Sequence, residues 1–142
     1  MSRLPKKLPT VITDGGRSTT EPHETADCTV RAFALVTELS YGDAHGVLER
    51  AGRKRRCRFN FHRAMRTSLR SREWNGWTFQ ERHDVDSMTV GRFVSEHPTG
   101  RYIVRVRGHV FAVLDGTVFD AFQLKPRMHV VQAWKAINSE NK

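Results

Sequence analysis

Three side chains in this sequence have types that do covalent chemistry and spacings that could bring them together: Cys28, His109 and Asp120. Cys28 follows Asp27, a residue able to cap a helix, in a segment where Val30, Phe33, Ala34 and Thr37 keep helical spacing. The thiol is therefore expected on the first turn of a helix, whose positive end favours the nucleophilic thiolate. Alone, Cys28 reads more readily as one of the small buried cysteines common in cores than as a catalyst. A nucleophile needs a base, and the C-terminal third supplies one. The runs His109–Leu114 and Thr117–Phe122 flank Asp115-Gly116, which favours a two-residue type I′ hairpin because both central residues need positive φ. Counting outward from Leu114 opposite Thr117 sets Phe111 opposite Asp120. Side chains alternate faces along a strand, so His109, Phe111 and Val113 share a face with Val118, Asp120 and Phe122. His109 and Asp120 become diagonal neighbours. A carboxylate on one imidazole nitrogen fixes the tautomer and leaves the other nitrogen for a nucleophile. Without Cys28, the two are ordinary exposed hairpin residues.

The elements that must position these groups are legible in outline. The first helix is expected from about Cys28 to Leu39. Ser40 and Asp43 give a capping-box-like start to a second, with Ala44, Val47, Leu48 and Ala51 on one side and Gly52 ending it. Asn60 caps a third, carrying Phe61, Ala64, Met65, Ser68 and Leu69 inward and Arg63, Arg66 and Arg70 outward. Trp74, Gly76 and Trp77 mark a turn into a short strand, and Ser87 to Glu96 reads as another helix, stopped by Pro98 and Thr99-Gly100. Arg101–Arg107 alternates as a strand, the hairpin follows, and Met128–Ala136 closes the sheet. Helices first and antiparallel strands second predict an α+β fold in a single domain over 25–138. Residues 1–24, rich in Pro, Gly, Thr and Lys without periodicity, read as a flexible or extended arm.

Composition bounds the function. The chain has 142 residues, 38% of them hydrophobic and 27% charged, which suits one soluble domain. No stretch approaches the ~20 apolar residues of a membrane span, and the basic start lacks the apolar core of a secretory signal, so a cytoplasmic location is expected. Two cysteines make no disulfide scaffold. CxxC, HExxH, Walker and GxGxxG motifs are all missing, so neither a cofactor nor a metal is expected. The net charge of +9 is concentrated: ten Arg or Lys and no acid lie between Arg50 and Arg72. That density points to an anionic partner such as nucleic acid, or to a solvated arginine face. A basic helical insert at about 50–72 would present Arg53, Lys54, Arg55, Arg56, Arg58, Arg63, Arg66 and Arg70 to a polyanion.

Asp27-Cys28 followed by Thr29-Val30-Arg31-Ala32, then Gly108-His109-Val110-Phe111-Ala112-Val113, Asp115-Gly116 and Asp120, resembles the papain-like cysteine peptidase superfamily. The likeness is to small phage-encoded and bacterial members, including peptidase domains that process bacteriocin leaders. Glu96-His97-Pro98-Thr99-Gly100-Arg101-Tyr102-Ile103-Val104 looks like the same phage proteins. The resemblance implies N-terminal helices on a C-terminal antiparallel sheet, Cys28 as nucleophile, His109 as general base and acid, and Asp120 as orienting group. It also implies a peptide or protein substrate and a place in the host cytoplasm or the virion. Such enzymes carry a Gln or similar donor shortly before the Cys. The run Glu21 to Asp27 has neither Gln nor Asn, which leaves the Cys28 backbone N–H with His23 or Thr25 as oxyanion donors.

Other readings compete. A papain-like scaffold without turnover would serve as a basic nucleic-acid-binding or assembly protein. Cys57 lies in Arg55-Arg56-Cys57-Arg58, where cations favour its thiolate, yet no helix end or base accompanies it and a surface or packing role fits better. Trp74, Trp77 and Trp134 read as core and rim residues.

Overall fold

The structure, a computed structural model, describes residues 7–85 and 87–138. The apolar runs of the last third become the middle of a six-stranded sheet. Its strands are β1 (Thr10–Ile12), β2 (Trp77–Arg82), β3 (Arg101–Val106), β4 (His109–Leu114), β5 (Thr117–Asp120) and β6 (Val130–Asn138). The spatial order is β1-β5-β4-β3-β6-β2. The fold is α+β, as composition and order predict. The sheet is mixed rather than antiparallel, because β1 runs parallel to β5 while the other pairs are antiparallel.

Both faces of the sheet are covered, which is why β3 and β4 read as nearly continuous apolar runs. On one face α2 (Cys28–Thr37), α3 (Tyr41–Arg50) and α4 (Phe61–Arg66) pack against Ile103, Val110, Ala112, Trp134 and Ala136. Phe33 is fully buried there, edge-on to Trp74 at 5.0 Å. On the other face α5 (Val90–Glu96) packs with Leu8 against Tyr102, Val104, Phe111, Val113 and Val118.

The hairpin forms as its dipeptide predicts. Asp115 and Gly116 have φ of 48° and 75°, and the register pairs Leu114 with Thr117, Val113 with Val118 and Ala112 with Phe119. A side chain at Gly116 would meet the backbone of Pro98 at 3.3 Å, so this turn requires glycine for space as well as for φ.

Several expected boundaries shift for identifiable reasons. The first helix stops at Thr37, whose hydroxyl donates back to the Phe33 carbonyl, and Glu38 turns left-handed at φ 63°. The third stops at Arg66 because Thr67 leaves helical geometry, so Leu69 is buried from a turn while Ser68 is exposed, not inward. Only Phe61–Arg66 of the expected basic helical insert is a separate helix; residues 51–60 run as turns and loop. The fourth helix begins at Val90, capped by Thr89, after Ser87 adopts a positive φ. Pro126 and Met128 accept from the N–H groups of Gly91 and Val90, which delays β6 to Val130. A short helix α1 (Arg17–Thr20) precedes these.

The expected arm belongs largely to the fold, with residues 1–6 outside the described residues. Leu8 is buried, Pro9 accepts from the Val118 N–H, and β1 lies alongside Val118 to Asp120. Thr13 N–H then bonds the Asp120 carbonyl at 2.8 Å, so the arm fixes the backbone that carries Asp120. No helix among the described residues is long and apolar enough to cross a membrane.

Candidate active site

Cys28 is the first residue of α2, and His109 is the first residue of β4. Both side chains line one cleft, and each favours the charged form of the other. His109 Nε2 lies 2.6 Å from Asp120 Oδ2 at the end of β5, which leaves Nδ1 as the nitrogen for the thiol. The structure thus brings together the three groups that the hairpin register and the helix start single out. Asp120 is 2% exposed, and its second oxygen accepts from the Ala121 N–H at 2.8 Å and lies 3.4 Å from Arg31 Nη2. The centre of the His109 ring is 6.0 Å from that of Phe111 and 5.1 Å from that of Phe122.

The electrostatics favour a thiolate–imidazolium pair. Burial opposes ionisation of Cys28, but His109, the Val110 N–H and Arg31 outweigh it and bring the thiol below its ordinary 9.0. Burial likewise opposes the imidazolium, yet Asp120 and Cys28 raise His109 to about 9.

Asp27 sits at the N-cap of α2 but makes no side-chain cap. Its carboxylate is drawn away: one oxygen binds Arg31 and lies 3.4 Å from Arg17, and the other accepts from the Tyr41 hydroxyl at 2.8 Å. Burial and Asp27 raise the Tyr41 pKa, so its hydroxyl stays a donor. Arg31 thereby joins Asp27 to Asp120, one turn along from Cys28. The diversion leaves the first N–H groups of α2 without a side-chain cap, as an oxyanion site needs. Thr29, buried with an unpartnered hydroxyl among the described residues, lines the same cleft as Cys28.

That cleft encloses about 450 Å³, within the range of small-molecule and peptide sites. Phe59, Phe61, Val106 and Phe122 give it apolar walls, and Arg58 and Arg105 give it charge. Of the expected oxyanion donors, the Cys28 backbone and Thr25 line it; His23 is solvent-exposed and does not.

The expected polyanion surface is divided. Arg53 is 3% exposed and cannot meet an external phosphate. Its guanidinium reaches Glu24 at 3.2 Å and donates to the carbonyls of Thr25 and Ala26. His45 Nε2 lies 2.7 Å from Glu24 Oε2, and the Arg56 N–H donates to Oε1. Arg55 is paired with Glu21 and Arg66 with Glu81. Lys54, Arg56, Arg58, Arg63 and Arg70 remain exposed. Cys57 is an exposed free thiol that does not itself line the cleft, although the adjacent Arg58 does.

Sequence reasoning does not find the roles of Arg31, Glu24, His45 and Arg53. Asp27 and Arg31 stand at i,i+4, a legible helical ion-pair spacing. The Glu24 partners are separated by 21 and 29 residues and carry no local signal. Comparisons with protein-family models, curated proteins and solved structures return no match for this chain.

Proposed function

We propose that this protein is a cysteine hydrolase of papain-like type, cleaving an amide, peptide or isopeptide bond. One observation supports the reading: a thiol whose ionisation is favoured by an imidazole, itself held by a buried carboxylate, with thiol and imidazole lining one open cleft. The Cys28 thiolate attacks the carbonyl carbon, and the electron pair displaced onto oxygen is stabilised by the Cys28 backbone N–H. Collapse of this intermediate breaks the C–N bond, and the leaving amine takes the proton of the His109 imidazolium. A thioester remains. Neutral His109 then removes a proton from water, which attacks the thioester, releases the carboxylic acid and returns the thiolate. Asp120 holds the imidazole in the tautomer and orientation both steps need.

The test uses the full chain with Cys57→Ser and a thiol-directed acyl probe. Labelling is expected at Cys28 and is lost in Cys28→Ala, while thermal stability changes little because only one sulfur is removed. Labelling that persists in Cys28→Ala contradicts the assignment.

A further inference from the structure

The charge lining the Cys28 cleft is unbalanced. Asp27 is the lone carboxylate among its described lining residues, and both of its oxygens are occupied by Arg31, Arg17 and Tyr41. Arg58 and Arg105 are different. Arg58 is exposed and has no carboxylate partner among the described residues, and Arg105 spends one N–H on Gln132 at 3.2 Å. A Cβ built on Gly108 would stand 3.9 Å from Arg58 Nη1, so this guanidinium lies alongside the residue that precedes His109. The field is felt inside the cleft: burial, then Arg105 and Arg66, lower the pKa of His62. Apolar walls on the same cleft lower the local dielectric and strengthen a charge pair formed there.

We propose that the cleft selects an anionic substrate, a peptide with an acidic side chain on the residue whose carbonyl is attacked, received by Arg58 and Arg105. The inference rests on the hydrolase reading and names its substrate class. A guanidinium fork matches a carboxylate bidentately. A nucleic-acid chain is the less suitable ligand. It needs a continuous run of free cations, and Arg53 is buried while Arg55 and Arg66 are paired with acids.

The experiment uses two matched peptidyl acyloxymethyl ketones whose residue bearing the reactive ketone is Glu or Gln. The Cys28 thiolate forms a carbon–sulfur bond to the methylene as the carbon–oxygen bond breaks and a carboxylate leaves. Rates are read by intact mass and peptide mapping on the full chain carrying Cys57→Ser. Labelling by the Glu probe is expected about tenfold faster than by the Gln probe at low salt, the effect of one charge-assisted hydrogen bond. The ratio falls toward unity in Arg58→Gln/Arg105→Gln and as salt is raised, whereas Arg72→Gln, on the outer surface, leaves it unchanged. Equal rates on the unsubstituted cleft, or a Glu preference that survives the double substitution, overturn the proposal and leave the hydrolase reading standing. Stronger protection of Cys28 by single-stranded DNA than by a poly-glutamate peptide overturns it in favour of a phosphate chain. Failure of both probes to label Cys28 removes the hydrolase reading, and this inference with it.

Discussion

Among the described residues, two couples of a histidine with a buried carboxylate have almost the same dimensions and opposite character. His109 meets Asp120 at 2.6 Å and His45 meets Glu24 at 2.7 Å, with the carboxylates 2% and 3% exposed. The third member separates them. Beside His109 stands a thiol that opens onto a cleft; beside Glu24 stands the guanidinium of Arg53, whose side chain is 1% exposed. The first arrangement leaves a half-buried thiol on a cleft, while the second closes its carboxylate in among buried partners. A histidine held by a carboxylate is therefore not in itself a site. The chemistry depends on what the remaining partner is and whether solvent and substrate reach it.

The closed couple still serves the open one. Arg53 holds the carbonyls of Thr25 and Ala26, and Ala26 sits in the left-handed region at φ 50° two residues before Cys28. Such a conformation costs roughly 1–3 kcal/mol and persists where the surroundings impose it. The buried network imposes it here, fixing the chain as it enters α2.

The sharpest break in the comparison comes from the two histidines. His109→Ala is expected to slow acylation of Cys28 by roughly 10²–10⁴-fold per folded molecule, the contribution of a positioned acid–base group. His45→Gln is expected to lower stability while the folded fraction keeps its labelling rate. Acylation rates corrected for folded fraction separate these outcomes, and equal losses from both would erase the distinction. Next in size, Glu24→Ala leaves Arg53 buried without its partner, an expected cost of roughly 3–5 kcal/mol in denaturant unfolding. Adding Arg53→Met recovers part of that loss, because the orphan charge is gone.

The two couples also titrate at opposite ends of the pH scale. Burial works against the Glu24 carboxylate, but Arg53, His45 and the Arg56 N–H depress it from 4.5 to about 2. Its stabilisation is complete above 4.5 and is lost as pH falls from there through about 2. His109 is raised from 6.5 to about 9, so its stabilisation is complete below 6.5 and is lost as pH rises through about 9. Denaturation followed across pH is expected to show an acid loss that Glu24→Ala removes and an alkaline loss that His109→Ala removes. The smallest effect is at Thr29. Replacing its buried, unpartnered hydroxyl in Thr29→Val is expected to hold or raise stability by up to ~1 kcal/mol, read in the same unfolding assay.

How much of this is legible in the sequence follows the range of the forces involved. The hairpin is written in two residues, since Asp115-Gly116 fixes turn type and turn type fixes register; His109 and Asp120 follow from counting. Helix starts at Ser40 and Asn60 are equally local, each side chain accepting from an N–H three residues on. Asp27 misleads because its expected cap competes with Arg31 and Tyr41, which offer its carboxylate stronger partners. The arm misleads because a three-residue edge strand beside Asp120 is too short to show a period. The arginine patch misleads most. The acids that claim Arg53, Arg55 and Arg66 lie 29, 34 and 15 residues away, so a window without acids in sequence is well supplied with them in space.

The most direct measurement is the pH–rate profile for alkylation of Cys28 by iodoacetamide, on the full chain with Cys57→Ser, with and without His109→Ala. A midpoint below the ordinary thiol value is expected, moving upward when the imidazole is removed. An ordinary midpoint that His109→Ala leaves in place would contradict a thiol activated by its neighbour.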